Sequence, residues 1–199
     1  MAIRVIDDSK LQDIAVAIQG KDGGGQMTVD EMPTRIEQNL QSKAVLDSVI
    51  DGSIISIESD VTDMRSNSFS YCTNLTSVSL PRVTNMGNNV FSTCTNLTSV
   101  SLPNVTSIGN YVFYRCANLT SVSLPNVTSI GNYAFQGCTN LSIVILGKRA
   151  TLSNSNAFSG TDNAITYVQP EDLSWYSTAT NWSALYTAGR VKSIEELPT

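Results

Sequence analysis

Histidine is absent from all 199 residues of this chain. Without an imidazole there is no Ser-His-Asp or Cys-His relay to activate a nucleophile, and the commonest nitrogen ligand for zinc is missing as well. Basic clusters are also lacking. The 12 Lys and Arg residues are outnumbered by 17 Asp and Glu, giving a formal net charge of −5, so the positive footprint that nucleic-acid phosphates require is not expected. No apolar stretch approaches the roughly 20 residues of a membrane-spanning helix, so no membrane insertion is expected. The opening MAIRVIDDSK sets two aspartates where a secretory leader would carry positive charge, and a signal peptide is not expected from it. Charge itself is nearly missing from the middle: between Ser66 and Leu146 the ionic side chains are Arg82 and Arg115. Paired carboxylates of the kind that cleave glycosides therefore have no place there. Neither enzymatic activity nor a cofactor is expected.

What the chain does have is a period. Cys72, Cys94, Cys116 and Cys138 stand 22 residues apart, a spacing that belongs to a repeat rather than to a disulfide framework. The string NLTSVSLPNVTSIGNY occurs at Asn96–Tyr111 and again at Asn118–Tyr133, with a close copy from Asn74 and a degraded one from Asn140. Leu75, Leu97, Leu119 and Leu141 form one column, Val78, Val100, Val122 and Val144 another, and Phe69, Phe91, Phe113 and Phe135 a third. Phe158 follows after one extra residue. About five turns fit between residues 53 and 168.

Within a copy, Val78 and Leu80 alternate with Ser77 and Ser79, the period-2 pattern of a strand with one buried face. VTSIG predicts a second short extended piece. The Gly-Asn pair then leads into what reads as one helical turn carrying Tyr111, Phe113 and Cys116. A single such coil cannot bury enough surface to offset the entropy of ordering its backbone, so neighbouring coils must stack and the two ends need caps.

The order L-x-x-V-x-L-P-x-V-x-x-I-G-x-x-x-F-x-x-C resembles the BspA-like leucine-rich repeats of bacterial surface proteins, treponemal proteins and prophage proteins of gut Firmicutes. The resemblance implies an α/β solenoid, a curved right-handed coil with a parallel β-sheet along one side. It implies no substrate, because the family is defined by its scaffold. The expected organisation is an N-terminal helical hairpin over 1–44, the repeat solenoid over 45–168 and a C-terminal cap over 169–199. Ser9 with Gln12 and Thr28 with Glu31 form capping boxes for two short helices within 9–42. A hairpin this small must dock on something, either the first coil or a neighbouring subunit, and the latter would make a homo-oligomer; the segment also looks like the helical leader of tail-associated and prophage proteins in Gram-positive bacteria, which implies a virion or prophage role.

At the other end Ile143 and Ile145 replace the strand serines, turning that outward face apolar. Trp175, Tyr176, Trp182 and Tyr186 are the expected cover for it; an exposed aromatic binding patch is the competing reading.

The remaining candidates are weighed the same way. The cysteine column reads as a buried thiol ladder rather than a metal site, since each coil brings one sulfur and no C-x-x-C pair. Asn74, Asn96, Asn118 and Asn140 each open an N-x-[ST] sequon, but an Asn at a bend that bonds the backbone of its own and the next coil explains them without a glycan. Glu58, Asp60 and Asp63 lack an EF-hand spacing and read as a solvated loop, and GKDGGG lacks the order of a phosphate loop. The columns Ser77, Ser99, Ser121 and Ser79, Ser101, Ser123 remain as an uncharged hydroxyl-rich face. They are the candidate binding surface for a protein or glycan, at a bacterial surface or on a virion, against the plainer reading of a solvated strand face.

Overall fold

The computed structural model describes residues 46–47, 54–57, 62–73 and 75–198. The expected helical hairpin, Glu58, Asp60 and Asn74 lie outside these.

The alternation of Ser and apolar residues produces the first side of each coil. Its strands are β2 (Ile54–Ile57), β4 (Ser77–Ser79), β6 (Ser99–Ser101), β8 (Ser121–Leu124), β10 (Ile143–Leu146) and β12 (Ile165–Val168). They lie side by side in parallel, with Ser77 beside Ser99, Ser101 beside Ser123, and Ser123 beside Ile145. β1 (Leu46–Asp47) closes one edge antiparallel to β2, and β13 (Val191–Ser193) extends the other in parallel. The second side is narrower. β3 (Asp63–Met64), β5 (Asn85–Met86), β7 (Ser107–Ile108), β9 (Ser129–Ile130) and β11 (Thr151–Leu152) form a five-stranded parallel sheet.

The third side differs from the expected helical turn. Tyr111, Phe113 and Arg115 donate their amides to the carbonyls of Asn132, Ala134 and Gln136 in the following coil, at 2.8–2.9 Å. Amides committed to a neighbouring coil cannot bond four residues back, so consecutive turns replace the helix. Two residues per coil reverse the chain with positive φ: Asn67, Asn89, Tyr111 and Tyr133 in one column, Tyr71, Thr93, Arg115 and Gly137 in the other.

Side chains repeat the ladder. The hydroxyls of Thr84, Thr106 and Thr128 each donate to the carbonyl 22 residues earlier, at 3.1–3.3 Å, and the amides of Asn110 and Asn132 donate to the Oδ1 of Asn88 and Asn110. Backbones come so close that a Cβ on Gly109 would stand 2.4 Å from the carbonyl oxygen of Gly87, a distance at which something must shift. That glycine is there for close approach.

Inside, Phe69, Phe91, Phe113, Phe135 and Phe158 stack with centroids 5.2–5.8 Å apart. The extra residue before Phe158 is taken up in a 3-10 turn, Ser155–Phe158, whose amide at Asn156 is capped by Asn154. Beside this spine the cysteines are all buried and unbridged. The Cys94, Cys116 and Cys138 thiols donate to the carbonyls of Phe69, Phe91 and Phe113 at 2.9–3.1 Å. Burial, reinforced by neighbouring sulfurs, pushes the Cys94 and Cys116 thiols well above their ordinary 9.0, and burial pushes Cys138 up to about 12.

The last coil ends in an aromatic plug. After Val168, a 3-10 turn leads into α1 (Leu173–Thr178) and α2 (Ser183–Thr187). Trp182 lies 5.8 Å from Phe158 and ends the phenylalanine stack, with Tyr176 edge-on to it at 5.0 Å. Their polar atoms take over where the next coil would bond: Trp182 Nε1 donates to Ala150 O, while the Tyr176 hydroxyl donates to Lys148 O and accepts from Ala150 N–H. Trp175 and Tyr186 pack half-buried against the same core. Trp182 and Tyr176 thus cap the end of the core, a different place from the outward face of β10 where Ile143 and Ile145 stand half-buried. The open end of the core, with its unbonded edge and bare ring, is where a cap gains most, and the aromatics go there.

Two outcomes follow for stability. Tyr176→Phe strands the buried Ala150 amide and should lower stability by about 1–3 kcal/mol, whereas Trp182→Ala empties the plug and should cost about 3–5 kcal/mol. Urea unfolding followed by circular dichroism would read both, and unchanged midpoints would contradict the cap. The thiols carry a pH signature. A group whose pKa is raised on folding contributes fully below its unfolded value, and that contribution is lost as pH rises toward the folded value. The urea midpoint should therefore fall as pH is raised above 9.0, the fall should be shallower in Cys138→Ala, and the native chain should resist a thiol reagent at pH 8 that labels all four cysteines in urea. A flat profile, or rapid native labelling, would show that the thiols are not shielded.

Candidate interaction surface

The outward side of the long sheet is set by parity: Val78 and Val122 point into the core, so the serines flanking them point out. Ser99, Ser101, Ser121 and Ser123 are exposed, and Ser77 and Ser79 half-buried. Register makes two straight columns of them. With parallel strands ~4.8 Å apart and ~3.3 Å of rise per residue, the hydroxyl field measures roughly 10 by 7 Å, enough for one sugar ring or a short peptide. No hydrogen bond among the described residues engages these six hydroxyls. The neighbouring column behaves differently: Thr98, Thr120 and Ser142 each donate to the carbonyl 22 residues earlier, at 2.9, 3.5 and 3.1 Å.

The field ends where the repeat decays. Ile143 and Ile145 stand next to Ser121 and Ser123, followed by Ile165 and Tyr167 in β12. Toward the other end Ser56 stands beside Ser79.

The asparagine column lines one bend. Asn96 Nδ2 donates to Thr73 O at 2.9 Å, and Asn118 and Asn140 donate to the Oδ1 of Asn96 and Asn118 at 3.3 Å. The bonds run to the preceding coil, and two of the three join side chain to side chain rather than reaching backbone as expected. Asp63 accepts from Asn85 Nδ2 at 2.6 Å and from the Thr62 hydroxyl. Among the described residues no group of three or more Cys, Asp or Glu is gathered for a metal, and no helix is long and apolar enough to cross a membrane.

The turn side holds a cluster that the reading of a helical turn had hidden. Tyr111 and Tyr133 stack at 5.0 Å, Tyr114 meets Tyr111 edge-on at 5.6 Å, and the Arg115 guanidinium lies 5.1 Å from the Tyr114 ring centre. The signal that could have exposed it is the Asn67–Asn89 start of the Tyr111 column, since Asn is the residue most at home in a left-handed turn.

The BspA type leucine rich repeat region matches this chain in six copies, over residues 40–165 and 106–182. No protein with a curated description matches it. Among solved structures, it resembles a leucine rich repeat protein of T. pallidum, 24% identical, with 66% of this chain and 69% of that one covered and a TM-score of 0.52. It also resembles a leucine rich cell surface protein of Faecalibacterium prausnitzii, 21% identical over 70% of this chain and 41% of the other, with a TM-score of 0.60. A leucine-rich repeat protein of Bacteroides ovatus is 20% identical, over 65% and 40%, with a TM-score of 0.51. The chain thus spans about two-fifths of the latter two. With its columns in register and the family match running over most of its length, the chain belongs to the BspA-type leucine-rich repeat family.

Proposed function

We propose that this protein is a non-enzymatic binding module that offers the serine face of its long sheet to a protein or glycan at a bacterial surface. The observation that carries the reading is the contrast between hydroxyl columns. Thr98, Thr120 and Ser142 spend their hydroxyls on holding coils together, while Ser99, Ser101, Ser121 and Ser123 keep theirs for the exterior. Hydroxyls both donate and accept, so a rigid row of them suits the alternating donors and acceptors of a sugar or an extended peptide. Rigidity helps too, because a face fixed by a parallel ladder loses little entropy on binding. The description of the F. prausnitzii relative as a cell surface protein supports the location.

The test uses the intact chain on arrays of glycans and of extracellular proteins. At least one array member should bind, and Ser99→Lys with Ser121→Lys should weaken that binding about tenfold or more while circular dichroism stays unchanged. An array without a binder, or binding indifferent to the two lysines, would overturn the proposal.

A further inference from the structure

The copies at residues 96–117 and 118–139 agree at every position except four: Val112 and Ala134, Tyr114 and Gln136, Arg115 and Gly137, Ala117 and Thr139. All four fall in the last six residues of the copy, on the turn side. Stacking constrains every side of a coil alike, since each residue sits on its counterpart. Val112 and Ala134 are buried, so between these two coils the divergence that reaches the surface is at Tyr114, Arg115 and Ala117, and in repeat proteins the face that varies between copies is often the binding face.

Local conformation points the same way. Tyr111 and Tyr133 hold φ of 58° and 57° in a column whose earlier members are Asn67 and Asn89. A bulky side chain in the left-handed region is an outlier where Asn is accommodated. Burial does not offset this, because both tyrosines remain half-exposed. Residues that break a local rule while staying half-exposed are the ones expected at functional sites.

The chemistry of the cluster selects a partner. Arg115 is exposed, lies over Tyr114, and has no carboxylate partner among the described residues. From Ser66 to Leu146 the chain has two arginines and no acid, so this stretch is positive although the whole chain carries −5. Tyr and Arg are the side chains that dominate protein interfaces, and a guanidinium takes a carboxylate in two parallel bonds. A sugar stacking flat would need an open ring face. Tyr111 is packed against Tyr133 on one side and meets Tyr114 edge-on, and Arg115 lies over Tyr114, so these ring faces are partly taken up by one another and by the guanidinium. We propose that Tyr111, Tyr114, Arg115 and Tyr133 form a docking site for an acidic peptide segment of a partner protein, separate from the serine face.

The probe is a random peptide-display library selected on the intact chain, followed by titration with the synthetic consensus peptide. Selected peptides should share Asp or Glu at a recurring position. Their affinity should fall about tenfold or more in Tyr114→Gln with Arg115→Gly, a pair that the next coil already carries as Gln136 and Gly137 and that the fold therefore accommodates. Ser99→Lys with Ser121→Lys should leave it unchanged, which separates this site from the serine face. Arg115→Glu should shift selection toward basic peptides. Selection without an acidic consensus, affinity that survives the paired substitution, or a glycan rather than a peptide as the ligand sensitive to that pair would each overturn the proposal.

Discussion

Each coil of this protein is held by the coil beside it, through ladders of backbone amides that find their acceptor about 22 residues away, with short local bonds such as Cys94 to Phe91 closing the turns between them. Thr98 and Ser142 donate to Thr76 and Thr120, Tyr111 to Asn132, and Phe113 to Ala134. A buried amide without a partner is costly, so this single requirement dictates that every coil present the same atoms at the same height. It accounts for the glycine at position 109, which lets the backbones meet, and for the phenylalanine stack, since any ring in the column must lie flat on the next. The buried thiols follow from the same rule. They fill the space beside the rings and donate to carbonyls of the preceding coil, and burial disfavours the thiolate that cysteine chemistry needs.

A stack held by its neighbours is unsatisfied wherever it stops. At the C-terminal end two aromatic side chains stand in for the missing coil, matching both its polar atoms and its ring, through Trp182 on Phe158 and Ala150 and through Tyr176 on Lys148 and Ala150. Arg149 paired to Asp172 at 2.6 Å fastens the start of the same segment. A surface built on such a scaffold is rigid and modular: the sheet side presents the same serines in three successive coils, while the turn side changes from one coil to the next.

The period and its columns were legible in the residues alone, because identical side chains in register leave identical letters at a fixed distance. So were the two extended pieces of each coil and the inward cysteines. The third side was not. Tyr111, Phe113 and Cys116 have a spacing that suits a helix, and nothing local reveals that their amides point into the next coil; the asparagines at 67 and 89 were the one trace of a left-handed turn. The aromatic cap was legible as a cap but not in its position. The change from Ser123 to Ile145 drew attention to the sheet face, whereas the stronger demand came from the bare ring and open edge at Phe158 and Ala150, which exist only in three dimensions. Of the surfaces, the serine columns could be read from alternation, while the tyrosine and arginine cluster required knowing which residues of successive coils become neighbours.

The claim beneath all of this is that position along the chain translates into height along the stack at 22 residues per coil through the central repeats. Removing residues 96–117 joins Thr95 to Asn118 and takes out one whole coil with every ladder left in step, whereas removing residues 98–117 shifts the following copies by two places. Urea unfolding of the two shortened chains is the direct measurement. The account predicts a cooperative transition for the first and loss of cooperative unfolding for the second; equal behaviour of the two, or collapse of the first, would contradict it.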